Sequence, residues 1–183
     1  MNRKFSASME FQRPGGGVQG VEMRLSYDSE ALKRELTRDE GRRLMPYRDT
    51  LGNWTVGVGH LLRGSEIGWL INLHTGQPKS AISEEDCDDF LRSDIIDAEH
   101  NLDHLLPGWR RLDDVRQRAL INLSFNLGGR LGEFKRFLAE MENRDFDRAA
   151  NALVASRWYG QVKTRGPRIV RMVKEGKAWG DEA

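Results

Sequence analysis

Cysteine is almost missing from this chain. Cys87 is the only one, so no intramolecular disulfide can form and stability has to come from packing. Such a chain is suited to folding in a reducing cytosol. A dominant charge is missing too: 29 Lys and Arg stand against 28 Asp and Glu, a formal net charge of +1. That balance does not suggest a nucleic-acid binder. No apolar run approaches the roughly 20 residues of a membrane span. The N-terminus shows no apolar stretch long enough for a signal peptide or anchor. If the target lies outside the cytoplasm, something else is expected to carry the protein there. His74, His100 and His104 show no metal-ligand spacing with Cys87. They are expected at the surface. Glu84-Glu85-Asp86 and Asp88-Asp89 lack the calcium-loop pattern. No metal and no cofactor are expected.

What is present suffices for one folded domain. The chain has 183 residues, 38% of them hydrophobic. Its charges are segregated. Between Ser83 and Asp103 lie nine acids (Glu84, Glu85, Asp86, Asp88, Asp89, Asp94, Asp97, Glu99, Asp103) and one base, Arg92. Between Arg157 and Lys177 lie seven bases (Arg157, Lys163, Arg165, Arg168, Arg171, Lys174, Lys177) and one acid, Glu175. A basic end fits a polyanionic target such as a cell wall. Two ordinary solvated helix faces explain the same pattern and are favoured on charge alone.

Residues 1–28 read as an extension without a core of its own, because Phe11-Gln12-Arg13-Pro14-Gly15-Gly16-Gly17-Val18 is rich in turn formers. Residues 29–183 read as the folded domain. Ser29 can cap a helix that carries Leu32 and Leu36 and stops near Gly41. Leu44 to Asp49, the turn Thr50-Leu51-Gly52-Asn53, and the alternating strand Trp54 to Gly59 predict a small antiparallel sheet. Trp54, Val56 and Val58 share one face of that strand; Thr55, Gly57 and Gly59 share the other. Thr75-Gly76-Gln77-Pro78 marks another turn. From there the pattern is helical. Ser83 with Asp86 resembles a capping box. Leu112, Val115, Ala119, Leu123 and Leu127 predict a long buried helix ending at Gly128-Gly129. Phe134 to Met141, Phe146 to Val154, and Thr164 to Glu175 predict three more helices. The fold class is α+β: a small lobe on a short sheet, a larger all-helical lobe, and a cleft between them.

Chemistry concentrates around the sheet. Glu40 ends the first helix and Asp49 lies at a strand end nine residues later. Both flank a strand whose Gly57 and Gly59 leave room for a flat polymer, with Thr55 as the polar group on that face. Two carboxylates across a groove are what glycoside hydrolysis uses, one protonated and one ionised. Carboxylates near glycines are also common in surface loops. Trp109, Trp158 and Trp179 could be sugar platforms, but core packing explains them better.

The uninterrupted run Arg38-Asp39-Glu40-Gly41-Arg42-Arg43-Leu44-Met45-Pro46-Tyr47-Arg48-Asp49-Thr50-Leu51-Gly52-Asn53-Trp54-Thr55-Val56-Gly57-Val58-Gly59-His60 resembles the signature of the T-even bacteriophage lysozymes, or endolysins. The likeness continues in Ala119 to Gly128 and in Ser156-Arg157-Trp158-Tyr159, and covers roughly Leu32 to Trp179. It implies a lysozyme-like catalytic domain and a muramidase acting on bacterial peptidoglycan. It assigns Glu40 as general acid, Asp49 as second carboxylate, and Thr55 as the residue holding the attacking water. Gly59, Asn126, Arg157 and Arg165 fall at substrate-side positions; Asn126 stands where the family usually has glutamine. Leu51 replaces a residue that is often polar. His60 is expected to pair with Asp94 on a neighbouring helix. The family's biology implies a monomer made in a host cytoplasm, released to the wall by a holin-type pore, without nucleic acid. A lytic transglycosylase and a non-catalytic or virion-associated wall-binding module are the alternatives. Asp49 and Thr55 argue against the first, and Glu40, Asp49 and Thr55 together against the second.

Overall fold

A computed structural model describes residues 26–178. The expected extension therefore lies outside the described residues as far as position 25, and so does Trp179. Its last three residues do not behave as an extension. Tyr27 is buried and its hydroxyl donates to Glu99 at 2.5 Å. Ser26 donates to Gln117 at 2.6 Å, and the Asp28 N–H donates to Asp114 at 2.6 Å. These partners lie 72 to 91 residues away, so local composition could not reveal them.

Helix α1 spans Ser29–Glu40. Its cap is Asp28, one residue before the expected Ser29, accepting from the Ala31 N–H at 2.9 Å. Leu32 and Leu36 are fully buried. Gly41, with φ +79°, ends the helix and donates back to the Thr37 carbonyl at 2.9 Å.

The sheet follows as β1 Arg43–Arg48, β2 Trp54–Gly57 and β3 His60–Leu61, antiparallel in that order. The expected single strand Trp54 to Gly59 is instead a strand ending at Gly57 and a tight turn, with the next strand starting at His60. Val56 pairs with His60 across Gly57-Val58-Gly59, where both glycines have positive φ, +64° and +75°. Alternation continues through the turn because Val58 points back into the core and is 1% exposed. Gly57 does not open onto a groove: a Cβ there would lie 3.1 Å from Cys87 Sγ.

Between the sheet and the long helices lie α2 Ser65–Leu70 and a hairpin, β4 Ile71–Asn72 with β5 Gln77–Pro78. The expected turn sits in this hairpin, where the Asn72 side chain accepts from the His74 and Thr75 N–H groups at 2.9 and 3.1 Å.

Helix α3, Glu84–Leu105, starts with both halves of the Ser83/Asp86 capping box. It packs on β2 and β3 with one part and on α4, Asp114–Leu127, with another, so it bridges the lobes. Helix α4 is the core of the helical lobe, its Ala119, Leu120, Ile121 and Leu123 fully buried. Around it stand α5 Lys135–Glu142, α6 Phe146–Val154, α7 Arg157–Gln161 and α8 Arg165–Glu175. Trp109 and Trp158 are buried, which makes them packing residues. The segregated charges are largely spent inside the molecule. Glu84 and Asp88 pair with Arg42, Asp89 with Arg92, Lys174 with Asp147, and Arg171 with Glu175.

Candidate functional site

Glu40 reaches the boundary between the lobes because α1 packs on α4 while its C-terminal end leads into β1. Its side chain is about a quarter exposed, at 23%. Arg165, the first residue of α8, donates from Nη2 to Glu40 Oε1 at 2.6 Å. Its Nε lies 3.4 Å from Asp39 Oδ2. Asp39 is 1% exposed, accepts from Asn122 Nδ2 at 3.0 Å and pairs with Arg168. The two acids that end α1 are thus clamped by α4 and α8. This corrects the expectation for Arg165. Its side chain is 7% exposed and is spent on Glu40 and Asp39, so it holds the acid instead of presenting itself to the groove.

Asp49 follows β1 and organises the turn after it. Its Oδ1 accepts from the N–H groups of Leu51 and Asn53, both at 2.8 Å, and its Oδ2 from Asn53 Nδ2 at 3.1 Å. The Asn53 backbone N–H, then its side-chain amide and the Leu51 N–H, hold the Asp49 carboxyl below the usual carboxylate range against slight desolvation. Thr55 lies on β2, 5% exposed, with its hydroxyl 3.4 Å from the Asn53 carbonyl. The same carbonyl accepts from the Asp49 N–H at 2.9 Å. Asn53 therefore ties Asp49 to Thr55. The sequence showed Asn53 only as a turn former; the Asp-x-x-x-Asn spacing was the available signal.

Tyr47 stands opposite Thr55 in the β1–β2 register. Burial raises its phenol pKa; Arg43 opposes this, while Glu40 and Asp49 both act in the raising direction. Tyr47 thus lies within the field of both carboxylates. Gly59 closes the other side. A Cβ on it would come within 3.4 Å of Glu40 Cγ, so a bare backbone lets the acid lie against the turn.

A cavity of about 300 Å³ opens between the lobes, with Gly59, Leu61 and Arg63 on one side and Asp94 and Phe125 on the other. Glu40, Asp49 and Thr55 do not line it; Gly59, packed on Glu40, connects them to it. The expected His60–Asp94 pair is present, Nδ1 to Oδ2 at 2.9 Å, with Phe90 stacked on the imidazole at 4.2 Å. Glu66 approaches the other ring nitrogen at 3.4 Å. Asn126 is less free than expected: its carbonyl accepts from Trp158 Nε1 at 2.9 Å, leaving its NH2 to turn elsewhere. Arg157 is exposed at the start of α7. His74, His100 and His104 are exposed. Among the described residues no group of three or more His, Cys, Asp or Glu is gathered to hold a metal ion.

The family model described as Phage lysozyme matches residues 37–172. The chain belongs to the phage lysozyme family. Similar proteins include the pre-baseplate central spike protein Gp5 of Enterobacteria phage T4, 32% identical over 161 residues. That match covers 80% of this chain but only 28% of the spike protein. The probable T4-type lysozymes 2 and 1 of Dictyostelium discoideum are 30% and 25% identical over 162 residues, covering 80% of this chain and 95% of each. Every site candidate from Glu40 to Arg165 falls inside the phage lysozyme span. The first two turns of α1 precede it, although Leu32 and Leu36 belong to the core.

Proposed function

We propose that this phage lysozyme domain hydrolyses the β-1,4 bond between N-acetylmuramic acid and N-acetylglucosamine in bacterial peptidoglycan. The observation that carries the reading is the placement of two carboxylates on either side of strand β1. Asp49 is kept ionised by three N–H donors, while Glu40 sits at the lobe boundary against Gly59. In this scheme Glu40 protonates the glycosidic oxygen as the bond to the anomeric carbon breaks. A water held by Thr55 attacks that carbon from the opposite face and passes its proton to Asp49. Arg165, 2.6 Å from Glu40, stabilises the carboxylate that remains. The product anomer is then inverted.

Digestion of purified peptidoglycan in ¹⁸O-water tests this. One heavy oxygen at each new reducing end is expected. Anhydro-sugar ends would assign a lytic transglycosylase, and binding without fragments a wall-binding module. Glu40→Gln should fold and lose ~10²–10⁴-fold in rate.

For biological setting, we propose an endolysin that accumulates as a monomer in the host cytoplasm and reaches the wall through a holin-type pore. The likeness to a central spike protein favours a second setting, as the wall-cutting part of a virion-associated assembly. Immunoblotting of purified virions against late-infection lysates separates the two.

A further inference from the structure

The cavity between the lobes has one wall that the proposed hydrolysis does not use. Asn101 on α3 donates both hydrogens of its amide into the protein, to Ser124 Oγ at 2.9 Å and to the Gly128 carbonyl at 3.0 Å. The Ser124 hydroxyl in turn donates to the Ala98 carbonyl at 2.9 Å. With all these donors spent, Asn101 Oδ1 is left as an acceptor whose direction the network fixes. One helical turn earlier, on the same face of α3, stands Asp97, exposed and without an ion pair among the described residues. Asp97 and Asn101 both line the cavity. Gly128 and Gly129 line it as well, and a Cβ on either would meet nothing within 4 Å, so the wall is roomy beside the acceptors. Leu61 and Phe125 supply apolar surface.

A fixed amide acceptor with a carboxylate one helical turn away, next to apolar surface, matches the chemistry of a pyranose. Its neighbouring hydroxyls are donors, and its C–H faces are apolar. We propose that Asp97 and Asn101 form a subsite for one sugar residue of the glycan strand, away from the bond that is cut. Asp97 accepts from one hydroxyl and Asn101 Oδ1 from its neighbour, with Leu61 and Phe125 flanking the ring. The subsite rests on the muramidase reading and adds specificity-determining residues to it.

The test uses the full chain carrying Glu40→Gln, with a tetramer of N-acetylglucosamine as probe. Titration by NMR should shift the Asn101 side-chain amide and the Asp97 backbone resonance. Adding Asp97→Ala should raise the Kd ~10-fold, the loss of one hydrogen bond to a charged group. Asp97→Asn, which keeps an acceptor, should fall between. In the otherwise wild-type enzyme, Asp97→Ala should raise KM for peptidoglycan and leave kcat unchanged. Its melting temperature should also be unchanged, because Asp97 is exposed and has no ion pair among the described residues. Unaltered Kd and KM in Asp97→Ala, with a wild type that cuts the wall, would overturn the subsite alone. No tetramer binding together with no fragments from the wild type would overturn the muramidase reading and the subsite with it.

Discussion

Replacing Arg165 by Met asks whether this arginine holds the acid or contacts substrate. The side chain is 7% exposed and joins Glu40 at 2.6 Å and Asp39 at 3.4 Å. Breaking a buried ion pair outright costs about 3–5 kcal/mol, and losing a hydrogen bond to a charged group about 1.5–3. Here the loss is tempered on both sides. Asp39 keeps Arg168 and Asn122, and Glu40, at 23% exposure, regains some water. Met fills most of the vacated volume. A loss of roughly 2–3 kcal/mol is expected, which lowers Tm by about 5–10 °C in a domain of this size. Activity should fall roughly 10- to 100-fold as Glu40 loses its fixed geometry. Arg165→Lys should recover part of the stability but cannot span both carboxylates. Urea denaturation followed by circular dichroism, together with peptidoglycan turbidity, reads both effects. A loss below about 0.5 kcal/mol with full activity would show that solvent screens the pair and that the clamp is wrong.

Three further outcomes follow from the geometry. Burial lowers the His60 pKa, but the hydrogen bond and charge of Asp94, joined by Glu66, outweigh it and leave it raised. Its stabilisation is therefore full below about pH 6.5 and lost as pH rises through the folded value, so the Asp94→Asn deficit should be large near pH 5.5 and shrink by about pH 8.5; equal deficits would contradict the pairing. Gly57→Ala should cost roughly 1–3 kcal/mol, from a left-handed Ala at φ +64° and a Cβ 3.1 Å from Cys87 Sγ; an unchanged urea midpoint would mean that the turn relaxes freely. Thr55→Val, nearly isosteric in a site 5% exposed, should keep the fold but lose about tenfold or more in rate; retention of over half the rate would remove Thr55 from water positioning.

Much of the fold was legible because local chemistry controls it. The Ser83/Asp86 box, the Gly41 stop and the apolar spacing of α4 each act within a few residues. Where the reading failed, the cause was nonlocal or hidden in backbone sign. The Gly57-Val58-Gly59 turn continues a period of two because alternation carries no information about φ. Ser26 to Asp28 resemble their extension in composition, and Glu99, Gln117 and Asp114, 72 to 91 residues away, tie them to the domain. The segment α2 to β5 is too short and weakly patterned to announce itself. In the site, Asp49 with Thr55 could be read from motif and strand position. The use of Arg165 could not, since its partner is 125 residues away. Nor could the Asn126–Trp158 bond, which spends the amide carbonyl.

The proposed mechanism is single displacement by water, with Glu40 as acid and Asp49 as base. Inverting enzymes hold their carboxyl groups ~6.5–9.5 Å apart to admit that water, and retaining ones about 5–5.5 Å. The most direct measurement is the anomer first released from a β-linked glycan, read by NMR before mutarotation. The α anomer is expected. The β anomer would mean that Asp49 attacks the sugar directly, and the roles given to Thr55 and its water would fall.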